Sequence, residues 1–366
     1  MDNCNAAVAP IAATVMRTYG FPDKGDNVII RMQAYPRAGL IGNPSDGYFG
    51  KTISFAFTNF RAEVVLYETP ELEILPSEKD RSCFNSIGSL VNDVQLHGYY
   101  GGIRLLKATI KRFYDYCRDN QIELHDKNFT IRYDSDIPHG VGLAGSSAII
   151  TACLRTLMAF YGVSIPKYTQ ANLVLGAETA ELHIPAGLQD RVVQAYQGLV
   201  YMDFAKEIMD KQGYGRYEPM DPKLLPKLYI AYMDALSEPT EKFHSNIRHR
   251  FDQGEPKVVN AMKFWANLTD KVKKCLLTGQ LEPLPELLNA NFDKRCEIYN
   301  ISEGNIRMVQ AARSVGASAT FTGSGGAIVG TYTDQRMFNE LRTKLGKLNI
   351  KVLKPKLALS TGNAKA

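Results

Sequence analysis

The sequence predicts an α+β protein of two domains, and three observations carry that expectation. Its 366 residues exceed the ~100 to 200 of one ordinary domain and leave room for large buried cores. Strand-type and helix-type periodicities recur in both halves. Between the halves, a stretch rich in Gly, Pro, Lys and Asp, from Lys206 to Pro226, breaks both periodicities and sets the expected domains at residues 1–215 and 216–366.

The elements read as follows. NVIIRMQAY (27–35) is strand-like and leads into a turn-rich segment, after which ISFAF (53–57) and AEVVLY (62–67) read as further strands. GGIRLLKATIKRFYDYC (101–117) places Ile103, Leu106, Ile110, Phe113 and Cys117 at three- and four-residue steps, the spacing of an amphipathic helix. FTIRYDS (129–135) is a strand, and helices are expected through 146–161 and 169–182, then a strand over LVYMDF (199–204). The second half offers a strand at LYIAYM (228–233), helices around 257–278 and 304–315, a glycine-rich turn, and strand, helix, strand to about 354.

Composition narrows the class. With 45% hydrophobic and 22% charged residues, wholesale disorder, collagen and a long coiled coil are excluded. No apolar stretch approaches the ~18 residues of a membrane span, and the opening segment has no basic region ahead of its mildly apolar part. Cysteines at 4, 83, 117, 153, 275 and 296 form no CxxC pair, so neither a zinc site nor a disulfide framework is visible. A soluble cytoplasmic protein with reduced thiols and no membrane partner is expected. Net charge is +5, and the basic run after Glu340 is interleaved with Leu, Ile and Val, as in a solvated helix face running into a strand; no nucleic-acid partner is expected.

Three glycine-bearing segments hold the chemistry. GVGLAG (140–145) matches G-x-G-x-x-G, but Pro138 and His139 separate it from the strand, and Glu178 lies 33 residues beyond Gly145 instead of ~20, which argues against a dinucleotide site. SDGYFGKT (45–52) would be a Walker A loop if Ser45 were glycine; it runs into a strand, whereas a P-loop needs a helix there. PHGVGLAGSSA (138–148) reads better as another kind of phosphate loop. Its glycines let backbone amides approach a polyphosphate, a helix begins near Ser146, and two hydroxyls, Ser146 and Ser147, are available for phosphate oxygens or Mg²⁺. An ordinary capped helix after a tight turn fits that segment equally well. FTGSGGAIVG (321–330) has the shape of a turn before a strand, and two such loops in different halves suggest an anion held between domains.

AYPRAGLIGNPSDGY (34–48), PHGVGLAGSSA and FTGSGGA, in that order, resemble the three motifs of the GHMP small-molecule kinases. RAGLIGNPSDGYFGKTISF (37–55), GYYGGIRLL (98–106) and AGLQDRVVQAYQGLVYMDF (186–204) make the resemblance closest to the plant-type glucuronokinases, over roughly residues 27–355. It implies an N-terminal domain like ribosomal protein S5 domain 2, a ferredoxin-like C-terminal domain, and ATP and a sugar acid between them. It implies ATP-dependent phosphorylation of the anomeric hydroxyl of D-glucuronate, feeding UDP-glucuronate synthesis. A 1-kinase for galacturonate, fucose or a heptose, or a non-catalytic sensor of the same fold, is the alternative.

Residue by residue, the resemblance puts the catalytic base at Asp190, with Arg37 beside it. ATP falls to Pro138, Gly140, Gly142, Leu143, Ala144, Gly145, Ser146 and Ser147. Mg²⁺ falls to Ser147 and Glu178, although GLAGSS is one residue longer than the commoner GLGSS, which leaves the choice between the two serines open. The substrate falls to Asn43, Asp46, Arg191, Gly323, Ser324 and Gly325. Asn43 and Pro44 stand where galactose-specific relatives carry Glu and His, and loss of a carboxylate there fits a uronic acid. Arg191 and Arg104 are the candidates for meeting the substrate carboxylate, since a bidentate guanidinium suits it; either also suits an exposed surface charge.

Overall fold

The computed structural model describes residues 29–77, 80, 101–233 and 244–359. Cys4, Cys83 and residues 98–100 of the GYYGGIRLL segment lie outside them. In chain order the N-terminal half holds β1 (Ile29–Ala34), β2 (Arg37–Ile41), β3 (Lys51–Ala56), β4 (Ala62–Thr69), β5 (Glu73–Leu75), α1 (Gly102–Asp119), β6 (Asn128–Ser135), α2 (Gly145–Tyr161), α3 (Lys167–Gly176), α4 (Leu188–Tyr196), β7 (Leu199–Asp203), α5 (Lys206–Gln212) and β8 (Arg216–Met220). There follow β9 (Leu228–Met233), α6 (His244–Asp252), α7 (Pro256–Thr278), α8 (Leu284–Ile298), α9 (Glu303–Arg313), β10 (Thr320–Phe321), β11 (Ala327–Thr331), α10 (Gln335–Gly346) and β12 (Ile350–Leu353).

These strands make three four-stranded sheets, ordered β1-β4-β6-β5, β2-β3-β7-β8 and β10-β11-β9-β12. All pairings are antiparallel except β5 on β6. α2 explains how the first sheet is covered. Ser147, Ala148, Ile150, Thr151, Cys153, Leu154 and Leu157 are buried almost all round it, because α1 packs on one side and β1 and β4 on another. It ends at Gly162, whose φ of +68° is the left-handed cap that glycine adopts without strain. Trp265, fully buried on α7, donates from its indole nitrogen to the Asn291 carbonyl at 3.1 Å and ties α7 to α8.

Four departures from the sequence expectation matter for the site. The turn-rich segment after β1 contains β2, a wholly buried strand. The helix expected over 169–182 is α3 followed by a π-helical turn, Ala177–Glu181, which carries Glu178. The stretch 206–226 holds α5 and β8, and β8 pairs with β7, so a cut at 215 would separate a pair of hydrogen-bonded strands; the third sheet starts at β9. α8 is a helix that lies outside the helices expected from the sequence. Near the C-terminus, Thr58 donates to the Lys356 carbonyl (2.7 Å) and Ala358 to that of Ala56 (3.0 Å), so the chain closes back on β3. No helix among the described residues is long and apolar enough to cross a membrane.

Candidate active site

The site is assembled around β2. The amide of Arg37 donates to the Leu143 carbonyl (3.3 Å) and that of Gly39 to the Thr322 carbonyl (2.8 Å), so one buried strand is stitched to both glycine-rich segments. The Arg37 side chain repeats the connection, its Nη1 donating to the carbonyls of Gly142 (2.6 Å) and Thr322 (3.0 Å). The two loops themselves touch. Gly142 has φ +69°, and a Cβ there would lie 2.6 Å from the Gly325 carbonyl oxygen, so only glycine lets the backbones meet. Gly323 is similarly confined, its absent Cβ lying 2.8 Å from Arg37 Nη2.

Arg37 also reaches the expected base, with Nε 2.6 Å from Asp190 Oδ1. Asp190 sits in the first turn of α4, and Arg191 Nη1 lies 3.2 Å from its Oδ2. Burial alone would raise the Asp190 pKa. The charges of Arg37 and Arg191 outweigh it and hold the carboxyl below the ordinary value, so it is ionised at neutral pH. Asp46 lies close by, accepting from the Gln189 amide (3.3 Å) at the start of α4. Burial and the neighbouring charge of Asp190 push it up to about 6, against the Gln189 amide and the two arginines.

Arg191 takes a different role from the one the sequence suggested. Its Nε and Nη2 both donate to Glu178 Oε2, the former at 2.7 Å, and Nη1 donates to the Gly187 carbonyl at 2.8 Å. With Asp190 as well, every edge of this buried guanidinium is engaged inside the protein. Arg104 is exposed on α1. Ser147 is buried with Oγ donating to the Ala144 carbonyl (3.3 Å), while Ser146 keeps partial access at the start of α2. Pro138, Gly140, Ala144 and Gly145 line the approach to that helix, and Leu143 is buried beneath it.

Sequence reasoning missed Arg295. It is 2% exposed, and its Nη1 donates to Asn43 Oδ1 (2.7 Å) and to the Gly323 carbonyl (2.9 Å), so it joins two of the expected substrate residues. A signal existed: Leu284, Leu288, Phe292 and Arg295 recur at four- and three-residue steps, placing an arginine in an apolar helical stripe.

A family model for the GHMP kinase N-terminal domain matches residues 104–198. The chain is 47% identical over 311 residues to probable glucuronokinase 2 of Arabidopsis thaliana, covering 83% of this chain and 84% of that protein. It is 46% identical over 306 residues to glucuronokinase 1 of the same plant, covering 82% and 84%. The chain belongs to the glucuronokinases of the GHMP kinase family. As a member it is a kinase, a phosphotransferase with an alcohol group as acceptor. In fold it is similar to Lactococcus lactis galactokinase in complex with galactose, with a TM-score of 0.70 at 15% identity over 96% of this chain and 98% of that one. The GHMP kinase fold expected from the motifs is the fold observed, with mixed helices and sheets.

Proposed function

We propose that this kinase transfers the γ-phosphoryl group of ATP to the anomeric hydroxyl of D-glucuronate, giving D-glucuronate 1-phosphate and ADP. The observation that carries the reading is the Asp190 carboxylate, held ionised between Arg37 and Arg191 where the two glycine-rich loops meet. The names of the Arabidopsis relatives supply the sugar acid.

Phosphoryl transfer asks a protein mainly for positioning and charge neutralisation. The amides of residues 140–147 and the positive end of α2 would hold the triphosphate. One Asp190 oxygen would accept the proton of the sugar O1. The O1–P bond forms as the bond from phosphorus to the β,γ-bridging oxygen breaks, and ADP leaves. Arg37 then steadies the charge on the transferring group. Asp46, which interacts electrostatically with Asp190 and Arg295, would accept from sugar hydroxyls.

Mg²⁺ prefers one or two carboxylates supplemented by phosphate oxygens and water. The residues present fit that open pattern. Glu178 with the Ser146 and Ser147 hydroxyls would hold the ion. The ion would neutralise charge on the triphosphate. Glu178 shares its Oε2 with Arg191, which makes the serine hydroxyls and the phosphates the larger share of that donor set.

A coupled ADP-release assay over a panel of free sugars and uronic acids, with ATP and Mg²⁺, tests the reading. Glucuronate as the best acceptor is the expected result. Equal or better turnover of neutral hexoses would overturn the substrate, and no sugar-dependent ADP release at all would mark a sensor.

A further inference from the structure

We infer that Arg295 receives the carboxylate of the substrate and is the residue that selects a sugar acid over a neutral sugar. This rests on the glucuronate reading above. Three arginines are buried among the described residues, Arg37, Arg191 and Arg295. Arg37 lies against Asp190, and Arg191 against Glu178 and Asp190. Arg295 has no carboxylate within 4 Å among the described residues; the acceptors it meets there are an amide oxygen and a backbone carbonyl, both neutral. A buried cation without a counterion is costly, and such charges are normally paired.

The geometry shows which edge is left for a ligand. Nη1 is taken by Asn43 and Gly323, whereas Nε is buried with no hydrogen-bond partner and Nη2 makes no hydrogen bond among the described residues. Nε and Nη2 form the side of the guanidinium fork that takes a carboxylate in two parallel hydrogen bonds. The rings of Tyr299 and Phe321, each centred 5.1 Å from the guanidinium carbon, fix its plane and shield it from water. Burial depresses the Arg295 pKa, and a guanidinium keeps its charge in proteins.

The position also suits the acceptor. Gly323 touches Arg37 on one side and binds Arg295 through its carbonyl, and Asp46 interacts electrostatically with both Asp190 and Arg295. A sugar whose O1 faces Asp190 and whose hydroxyls face Asp46 would then turn the C5 side of its ring, where a uronic acid has its carboxylate, toward Arg295. Asn43 completes the device. Its amide oxygen orients the guanidinium without neutralising it, which a carboxylate at that position would do.

The test measures kcat and KM for glucuronate, glucose and ATP in the full chain and in Arg295→Gln, Arg295→Lys and Asn43→Asp. Arg295→Gln should raise the KM for glucuronate about 30-fold or more and lower the ratio of glucuronate to glucose efficiency by a similar factor, with the ATP KM within about threefold. Arg295→Lys should recover some of the loss, since it keeps the charge and loses the fork. Asn43→Asp should raise the melting temperature, by giving Arg295 an internal counterion, while raising the glucuronate KM about tenfold or more. Equal losses on glucose and glucuronate would make Arg295 a structural residue and overturn the inference. So would an Asn43→Asp enzyme with an unchanged glucuronate KM, a readout that holds even where Arg295→Gln fails to fold. Wild-type enzyme that does not prefer glucuronate would instead remove the functional reading beneath it, so the two failures are told apart.

Discussion

Arg191 and Arg295 are both buried arginines of one site, and they are treated in opposite ways. Arg191 is enclosed by Glu178, Asp190 and the Gly187 carbonyl, all on α4 or the π-helical turn and loop before it, and it completes a network that exists without any ligand. Arg295 comes from α8 in the other half of the chain and meets only neutral acceptors among the described residues. The difference separates two tasks. Around Asp190 the protein supplies every charge itself, because the base must be ionised and aimed before substrate arrives. At Arg295 one charge is left for the ligand to balance, which is what recognition of an anion requires.

If the two ends do different work, they should break differently. The largest effect belongs to the self-sufficient end. Asp190→Asn removes the proton acceptor and should lower kcat by about 10² to 10⁴-fold, with the ATP KM little changed. Steady-state kinetics decide it, and a variant within tenfold of wild type would move the base elsewhere.

Next comes the network behind Asp190. Arg191→Met leaves Glu178 buried without its cation and should cost about 3 to 5 kcal/mol in urea unfolding. Burial already raises the Glu178 pKa, against the pull of Arg191, and loss of that guanidinium raises it further. An acid whose folded pKa lies above its unfolded value loses stability as pH rises through the folded pKa. The deficit of Arg191→Met should therefore be larger at pH 8 than at pH 5; a pH-independent deficit would mean that Glu178 does not carry it.

The loop junction shared by both ends should be more forgiving. Gly142→Ala forces a left-handed residue and a Cβ against the Gly325 carbonyl, and should cost about 1 to 3 kcal/mol while raising the ATP KM. An unchanged melting curve would show that the two loops are not in contact in solution.

The smallest effect is the pH dependence of Asp46, which lies between the ends. With its pKa at about 6 it takes up a proton as pH falls through that value and stops accepting from two sugar hydroxyls at once. The kcat/KM for glucuronate should decline below pH 6, and Asp46→Asn should be slower but lack that limb. The same limb surviving in Asp46→Asn would assign it to another group.

The two ends also differ in how legible they are. Arg37, Asp46, Asn43 and Asp190 lie in short ordered motifs, where glycines and prolines fix the backbone locally, so their neighbourhood can be read from the chain alone. The fold class and most strands and long helices follow from periodicity. β2 is not legible, because a strand buried on both faces carries no alternation and its Gly39 and the preceding Pro36 look like a turn. Arg295 is hidden for another reason. It belongs to no motif, and its meaning depends on what α8 packs against, a contact of 252 residues' separation with Asn43 that no local pattern reveals. Arg191 illustrates the converse, since its place beside the base is legible while its engagement with Glu178 depends on how the π-helical turn folds back.

The central claim is that O1 of a sugar acid faces Asp190 while its carboxylate, on C5, meets Arg295. The position of the phosphate on the product tests that most directly, read by phosphorus-proton coupling in the NMR spectrum of glucuronate after turnover with ATP. Coupling to the anomeric proton is the predicted result. A three-bond coupling to the proton of another ring carbon, with none to the anomeric proton, would contradict it.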